Sequence, residues 1–398
     1  MTRHGTRRGF LRLGGTLLAA GATVGLAGCG GDGGDGNGNG NCNGNGDGTD
    51  VLDVVPAAAT SATYADVAGM IDDATVTELL NEMFATAAED AGEEYEGPED
   101  VEEMLDDIEE ETGLDPREME ESVAFGMAPE MDETPAEPMG PASQYGATWF
   151  TAGWSEDDLV AAVESQTEGM ELEEGEYKGY TTHEAPASGG SGAETPMGST
   201  PGLLAVIEDG EYVSGTTDAV EDALDVAAGD ADAAGDDLRE AYGGVRDGLM
   251  KIATTDFENL PEEELPQGTV GEDGPAITPG QFQEIESGAF VLYTENDELG
   301  LSTSMTAADE EAAGEIVEVI DGAISSAKTD LQEVDEELAA ELDEIDVTSD
   351  GRNVSVSYAT TIENGKDVIG RIVELFTAGM QSTPIGTDEG GYAIPFPV

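Results

Sequence analysis

The chain has 398 residues, 5% of them aromatic, and a formal net charge of −76 at pH 7, with 13 Lys+Arg set against 89 Asp+Glu. Beyond residue 28 the few cations are scattered singly, which excludes a nucleic-acid binder, since phosphate contacts need clustered Lys and Arg, and excludes electrostatic docking to an anionic membrane on the same ground. With two histidines in the whole chain, one of them within the first ten residues, multi-histidine zinc and blue-copper sites are excluded as well.

The first element in chain order is an address. Thr6-Arg7-Arg8-Gly9-Phe10-Leu11-Arg12 is followed by a Gly/Ala-rich, weakly apolar run over 13–25 and then by Leu26-Ala27-Gly28-Cys29. A basic start, a short apolar middle and a small-residue end are the parts of a secretory signal. The run is too short and too broken by glycine to span a bilayer, which takes about 20 apolar residues. This stretch resembles a twin-arginine export signal ending in a lipobox. The resemblance implies export in a folded state through Arg7 and Arg8, with the twin arginines acting as a receptor-read address. It further implies a thioether-linked lipid on Cys29, the first residue of the mature chain. The membrane would then be a partner through that lipid, and the protein would sit at the cell surface, anchored to the outer face of the cytoplasmic membrane. Residues 1–28 form the leader in this reading. Residues 29–50, almost all Gly, Asn and Asp, form a tether with a reach of roughly 25 Å. Residues 31–36 match a dinucleotide fingerprint formally, but no strand precedes them and no helix follows. Cys42 is a second thiol in the same tether.

The leader would take four arginines and no acid with it, leaving the rest still more acidic. A compact body at that charge repels itself in dilute buffer, whereas in molar salt the Debye length falls to about 3 Å. The composition therefore predicts a body that folds in brine, with hydrated salt cations as non-specific partners.

Within the body, residues 62–67 read as a strand and 75–88 as a helix, with Val76, Leu79, Leu80, Met83 and Phe84 at helical spacing. A second helix opens near Pro98 and ends at Gly113, a helical turn starts at Asp115-Pro116, and 122–127 is a strand. Residues 129–143 are a Pro/Glu/Met-rich excursion. A strand over 145–153 carries Trp149 and Phe150, and Ser155 caps a helix running to Gln166. Residues 177–182 read as one strand, and 203–207 with 212–214 as a hairpin about Asp209-Gly210. Helices follow over 216–226 and 238–249, then a strand over 250–254. Residues 257–283, Pro-rich and acidic, form a linker that separates an α+β domain over 51–256 from a smaller α+β half over 284–380. That half holds a hairpin across Asn296-Asp297, a helix over 308–328, helical residues 330–342, a hairpin about Asp350-Gly351 and a last helix over 366–380. Residues 381–398 are a loose tail.

Hairpins interrupted by helices predict an α+β fold: antiparallel sheet built from hairpins, helices packed on one face, and two halves of similar pattern. Tyr177-Lys178-Gly179-Tyr180, the run 203–210, the run 212–216 and Ala219-Val220, followed by a helix into Gly229-Asp230, resemble a family of exported prokaryotic proteins of unknown function, haloarchaeal lipoproteins among them. That resemblance implies a fold and no site residues.

Chemistry is sparse. His183 reads as an exposed residue at a strand end, and no G-x-S-x-G elbow accompanies it. Carboxylate pairs carry no signal against such an acidic background, and no closed calcium loop is present. Trp149 and Trp154 read as packing residues. Asn353-Val354-Ser355 is a candidate glycosylation site at Asn353. No catalytic, cofactor-binding or metal-binding residue is assigned and no cofactor is expected. The leading expectation is a non-catalytic accessory or binding lipoprotein. The alternatives are a protein binding an apolar or lipid ligand between sheet and helices, and a carboxylate-dependent hydrolase.

Overall fold

The computed structural model describes residues 51–361 and 364, apart from 92–94, 96, 128–144, 167–170, 186–193, 196–197, 200–201, 256, 258–267, 270–275, 278–282, 297 and 333–335. Arg7, Arg8, Cys29, the tether, the excursion, most of the linker, the predicted last helix and the tail lie outside the described residues.

Strands β1 (Ser61–Asp66), β2 (Met119–Gly126), β3 (Gly146–Ala152), β4 (Glu173–Tyr177) and β5 (Tyr180–Glu184) come first. Two-residue strands β6 (Glu194–Thr195) and β7 (Gly198–Ser199) pair with each other, as do β11 (Gly268–Thr269) and β12 (Ala276–Ile277). The others are β8 (Leu203–Glu208), β9 (Glu211–Gly215), β10 (Met250–Thr254), β13 (Ile285–Glu295), β14 (Glu298–Ala307), β15 (Asp346–Asp350) and β16 (Asn353–Thr361). The helices are α1 (Val67–Asp72), α2 (Ala74–Ala91), α3 (Val101–Thr112), α4 (Glu156–Gln166), α5 (Thr217–Ala227), α6 (Asp236–Gly243), α7 (Glu310–Gln332) and α8 (Glu336–Glu341). The architecture is α+β.

Twelve strands form one antiparallel sheet in the order β15-β16-β14-β13-β10-β1-β2-β3-β9-β8-β5-β4. β10 pairs directly with β13, so strands from either side of the Pro-rich stretch are hydrogen-bonded neighbours. Register across the middle is continuous: Val213, Trp149, Val123, Tyr64, Lys251 and Val291 stand side by side on one face. Adjacent residues of a strand point to opposite faces, so Tyr212, Phe150 and Leu292 belong to the other.

That alternation shows where the helices lie. On the first face Trp149, Val213 and Ala205 pack with Ala219, Val220 and Leu224 of α5 and Leu238 of α6. On the second face Phe150, Leu204 and Tyr212 pack with Leu159 and Ala162 of α4. Met305, Val354 and Val356 pack on that second face with Ala313 and Ile316 of α7. Helices therefore cover both faces, where the sequence pattern predicts one. The reason is legible in the strands: β3, β8 and β9 are apolar at consecutive positions, which buries both of their sides.

Local chemistry explains most boundaries. Asp100 caps α3 by accepting from the Glu103 amide at 2.8 Å, and Gly113 ends the helix with φ 78°. The predicted single strand over 177–182 is a hairpin, because Lys178 and Gly179 both take positive φ, 53° and 97°, as a two-residue turn requires. The predicted helix over 238–249 is shorter: α6 stops at Gly243, and Gly244 follows as its cap. Both sheet edges are acidic, Glu-Glu-Gly-Glu-Tyr in β4 and Asp-Val-Thr-Ser-Asp in β15, which guards them against pairing with other chains.

Candidate functional site

Among the described residues, an open concavity lies where the hairpin β4–β5 meets the β8–β9 hairpin and the start of α4. It holds about 310 Å³, and its lining includes Glu156, Tyr180, Thr181, Glu208, Asp209 and Tyr212. Ser155 sets the position of Glu156. Its hydroxyl oxygen accepts from the Asp158 amide at 3.2 Å and starts α4, whose first turn holds Glu156, Asp157 and Asp158 where the helix dipole favours acids.

The floor is rigid. Tyr212 is 1% exposed and donates its hydroxyl to the Trp154 carbonyl at 2.6 Å, while the Trp154 indole donates to the Asp115 carbonyl at 2.9 Å. Phe150 packs between their rings, with centroids 5.5 and 6.2 Å away. Both tryptophans are packing residues, as predicted. His183 is not the exposed residue of the prediction: it is 7% exposed, and its Nε2 lies 2.8 Å from Glu156 Oε1. β5 is an inner strand, shielded by β4 on one side and paired to β8 on the other. The hydrogen bond between His183 and Glu156 thus ties β5 to α4 beside the cleft.

A second feature adjoins the cleft and is invisible in sequence. Glu208 stands opposite Glu211, Glu211 opposite Thr151, Thr151 opposite Glu121, and Glu121 opposite Asp66. Four carboxylates therefore occupy one row across five neighbouring strands, an arrangement in which like charges destabilise the sheet. Burial pushes the Glu211 carboxyl above its ordinary value; Glu208 and Glu121 push the same way, and the Trp149 indole, donating at 2.9 Å, opposes them. Burial also raises Glu121, with Asp66 and Glu120 adding to it and the Tyr64 hydroxyl opposing. No basic side chain contributes to either shift. The Thr151 hydroxyl in the middle of the row is buried without a hydrogen-bond partner.

No family model and no curated protein matches this chain. Among solved structures it is similar to TP0453 in crystal form I, at 11% identity over 82% of this chain and 98% of that one, with a TM-score of 0.39. For TP0453 in crystal form III the values are 9% identity, 81% and 99% coverage, and a TM-score of 0.40. A likeness this faint assigns no function.

The cations among the described residues are paired. Arg117, Lys178, Arg239, Arg246, Lys251, Lys328 and Arg352 all stand in ion pairs with acids. Arg239 pins Asp53 and the Leu52 carbonyl, holding the buried start of the body against α6. Among the described residues, no group of three His, Cys, Asp or Glu side chains could hold a metal ion. No helix among them is long and apolar enough to cross a membrane. Asn353 opens β16 and is exposed; its Oδ1 accepts from the Thr306 hydroxyl at 3.3 Å, while its backbone and that of Ser355 pair with β14 and β15.

Proposed function

We propose that the chain is a lipoprotein of a halophile, held by a lipid on Cys29 to the outer face of the cytoplasmic membrane, with a non-catalytic accessory or binding role. The leader supports the anchor: Arg7 and Arg8 as the export address, and Cys29 at the end of a small-residue run before a Gly/Asn/Asp tether. The observation that supports the brine setting is the carboxylate row from Glu208 to Asp66, in which burial and neighbouring acids raise both Glu211 and Glu121. Molar salt relieves such repulsion by shrinking its range to about 3 Å. Committing the described cations to ties between elements suits a rigid body on a tether, bathed in salt.

The anchor is tested by expressing the full chain and a Cys29→Ser variant in a halophilic host. The expected result is wild type in the membrane fraction with a lipid mass on its N-terminal peptide, and the variant free in the medium. Equal membrane retention of the variant, or an unmodified wild-type Cys29 peptide, would overturn the anchor.

A further inference from the structure

Asn353-Val354-Ser355 is the one Asn-x-Ser/Thr tripeptide in the 398 residues. It lies at a corner of the sheet, where β15 turns into β16 through Gly351 and Arg352. Gly351 takes φ 61° in that turn. The Arg352 guanidinium donates to Glu286 at 2.7 Å and to the Ala308 carbonyl at 3.3 Å, which fixes the corner. Residues 348–353 are all exposed. Asn353 is the terminal partner of both its ladders, opposite Thr306 of β14 and Asp350 of β15. Parting one end pair on each side frees it, and ladder ends open at the lowest cost.

The Thr306 hydroxyl donates to Asn353 Oδ1 at 3.3 Å, and among the described residues none accepts from Nδ2. Ser355 lies two residues along the strand, so its hydroxyl shares a face with that amide. The residues opposite Asn353 and Ser355 are Thr306, Ser304, Asp350 and Thr348, all short, which leaves space for a sugar. An exposed acceptor tripeptide beside a turn is the setting in which an exported chain takes an N-linked glycan. We propose that Asn353 is N-glycosylated once the chain has left the cytoplasm. In that step Nδ2 gives up a proton to the transferring enzyme's base and bonds to the anomeric carbon of an oligosaccharide. That carbon's bond to the oxygen of a lipid-linked phosphate breaks, and the phosphate leaves with the electron pair. The glycan stands beside β15, an acidic edge strand, and adds bulk against pairing with another chain. The inference rests on the export part of the proposed function and is independent of the lipid on Cys29.

The test expresses the full chain in a halophilic host whose exported proteins carry N-linked glycans, and separates material outside the cytoplasm from material within. The peptide 353–366, bounded by Arg352 and ending at Lys366, is then mapped by mass. A sugar mass is expected on most copies of that peptide from external wild type and from Ser355→Thr, and on none from Asn353→Gln or Ser355→Ala. Ser355→Ala leaves the asparagine in place, so its loss of sugar reports recognition of the tripeptide and not of the side chain alone. External wild type with a bare Asn353 would overturn the inference and leave export standing. Wild type confined to the cytoplasm would overturn export and the inference with it. A glycan that survives Asn353→Gln would place the modification elsewhere and overturn the inference as well.

Discussion

The two ends of the sheet repeat one connection and differ in what they do with it. In the first, hairpin β2–β3 leads through α4 to hairpin β8–β9, giving the order β2-β3-β9-β8; in the second, β13–β14 leads through α7 and α8 to β15–β16, giving β13-β14-β16-β15. The first half inserts β4–β5 between helix and closing hairpin, and the cleft forms against that insertion. The second half has no insertion, and its apolar side is filled by Met305, Val354, Val356 and Ile316. The contrast continues along one row of the sheet. Its first part is Glu208, Glu211, Thr151, Glu121 and Asp66, whereas its continuation on the far side is Tyr293, Gly300 and Ala359. There the Arg246 guanidinium lies 3.9 Å from the centre of the Tyr293 ring and pairs with Glu295. Gly300 leaves room for that ring, since a Cβ at 300 would run into Tyr293. One half sets a row of acids next to a cleft, and the other places Arg246 and its partner Glu295 beside the same row.

The largest expected effect breaks the first half at its aromatic floor. Phe150 is fully buried between Trp154 and Tyr212, so Phe150→Ala should cost about 3–5 kcal/mol in molar-salt denaturant melts. A cost below about 1 kcal/mol would mean the floor is not packed as described.

A smaller effect tests the joint between the halves. Asp73 accepts from the Thr75 and Val76 amides at 2.8 and 3.1 Å and from the Thr294 hydroxyl of β13 at 2.6 Å. Burial alone would raise its carboxyl, but these hydrogen bonds hold it below the ordinary value. Its contribution is therefore present above the unfolded carboxyl range and lost as pH falls through the lower folded value. Asp73→Ala should cost about 0.5–2 kcal/mol at neutral pH, as cap removals do, and less in acid.

The acid row should behave in the opposite sense. Glu121 and Glu211 are raised in the folded chain, so their favourable contribution is complete below the unfolded value near 4.5 and is lost as pH rises through the folded one. Glu121→Gln and Glu211→Gln should each stabilise the protein by roughly 0.2–1 kcal/mol at neutral pH and low salt, and by less in molar salt. Equal gains at both salt concentrations would show that repulsion is not what the row contributes.

Much of this arrangement was legible beforehand in the turns. Asp209-Gly210 and Asp350-Gly351 mark hairpins because glycine supplies positive φ there, 85° at Gly210 and 61° at Gly351. Lys178 hid the turn before Gly179, since a lysine rarely takes φ 53°. Strand order is set by contacts distant in sequence, so neither the joining of β10 to β13 nor the burial of His183 on an inner strand between β4 and β8 could be read from local pattern. The carboxylate row was hidden for the same reason: Asp66, Glu121, Glu208 and Glu211 are ordinary acids at or near strand ends until register sets them side by side. Helices on both faces were foreshadowed by Trp149-Phe150 and Leu203-Leu204-Ala205, consecutive apolar pairs that a one-sided sheet would not need.

The central claim, that the acid row makes the first half the salt-dependent part of this sheet, is tested most directly by hydrogen exchange during a salt titration. As salt is lowered, amides of β2, β3 and β9 should lose protection at a higher concentration than those of β13, β14 and β16. Loss in the second half first, or protection in both halves unchanged down to dilute buffer, would contradict it.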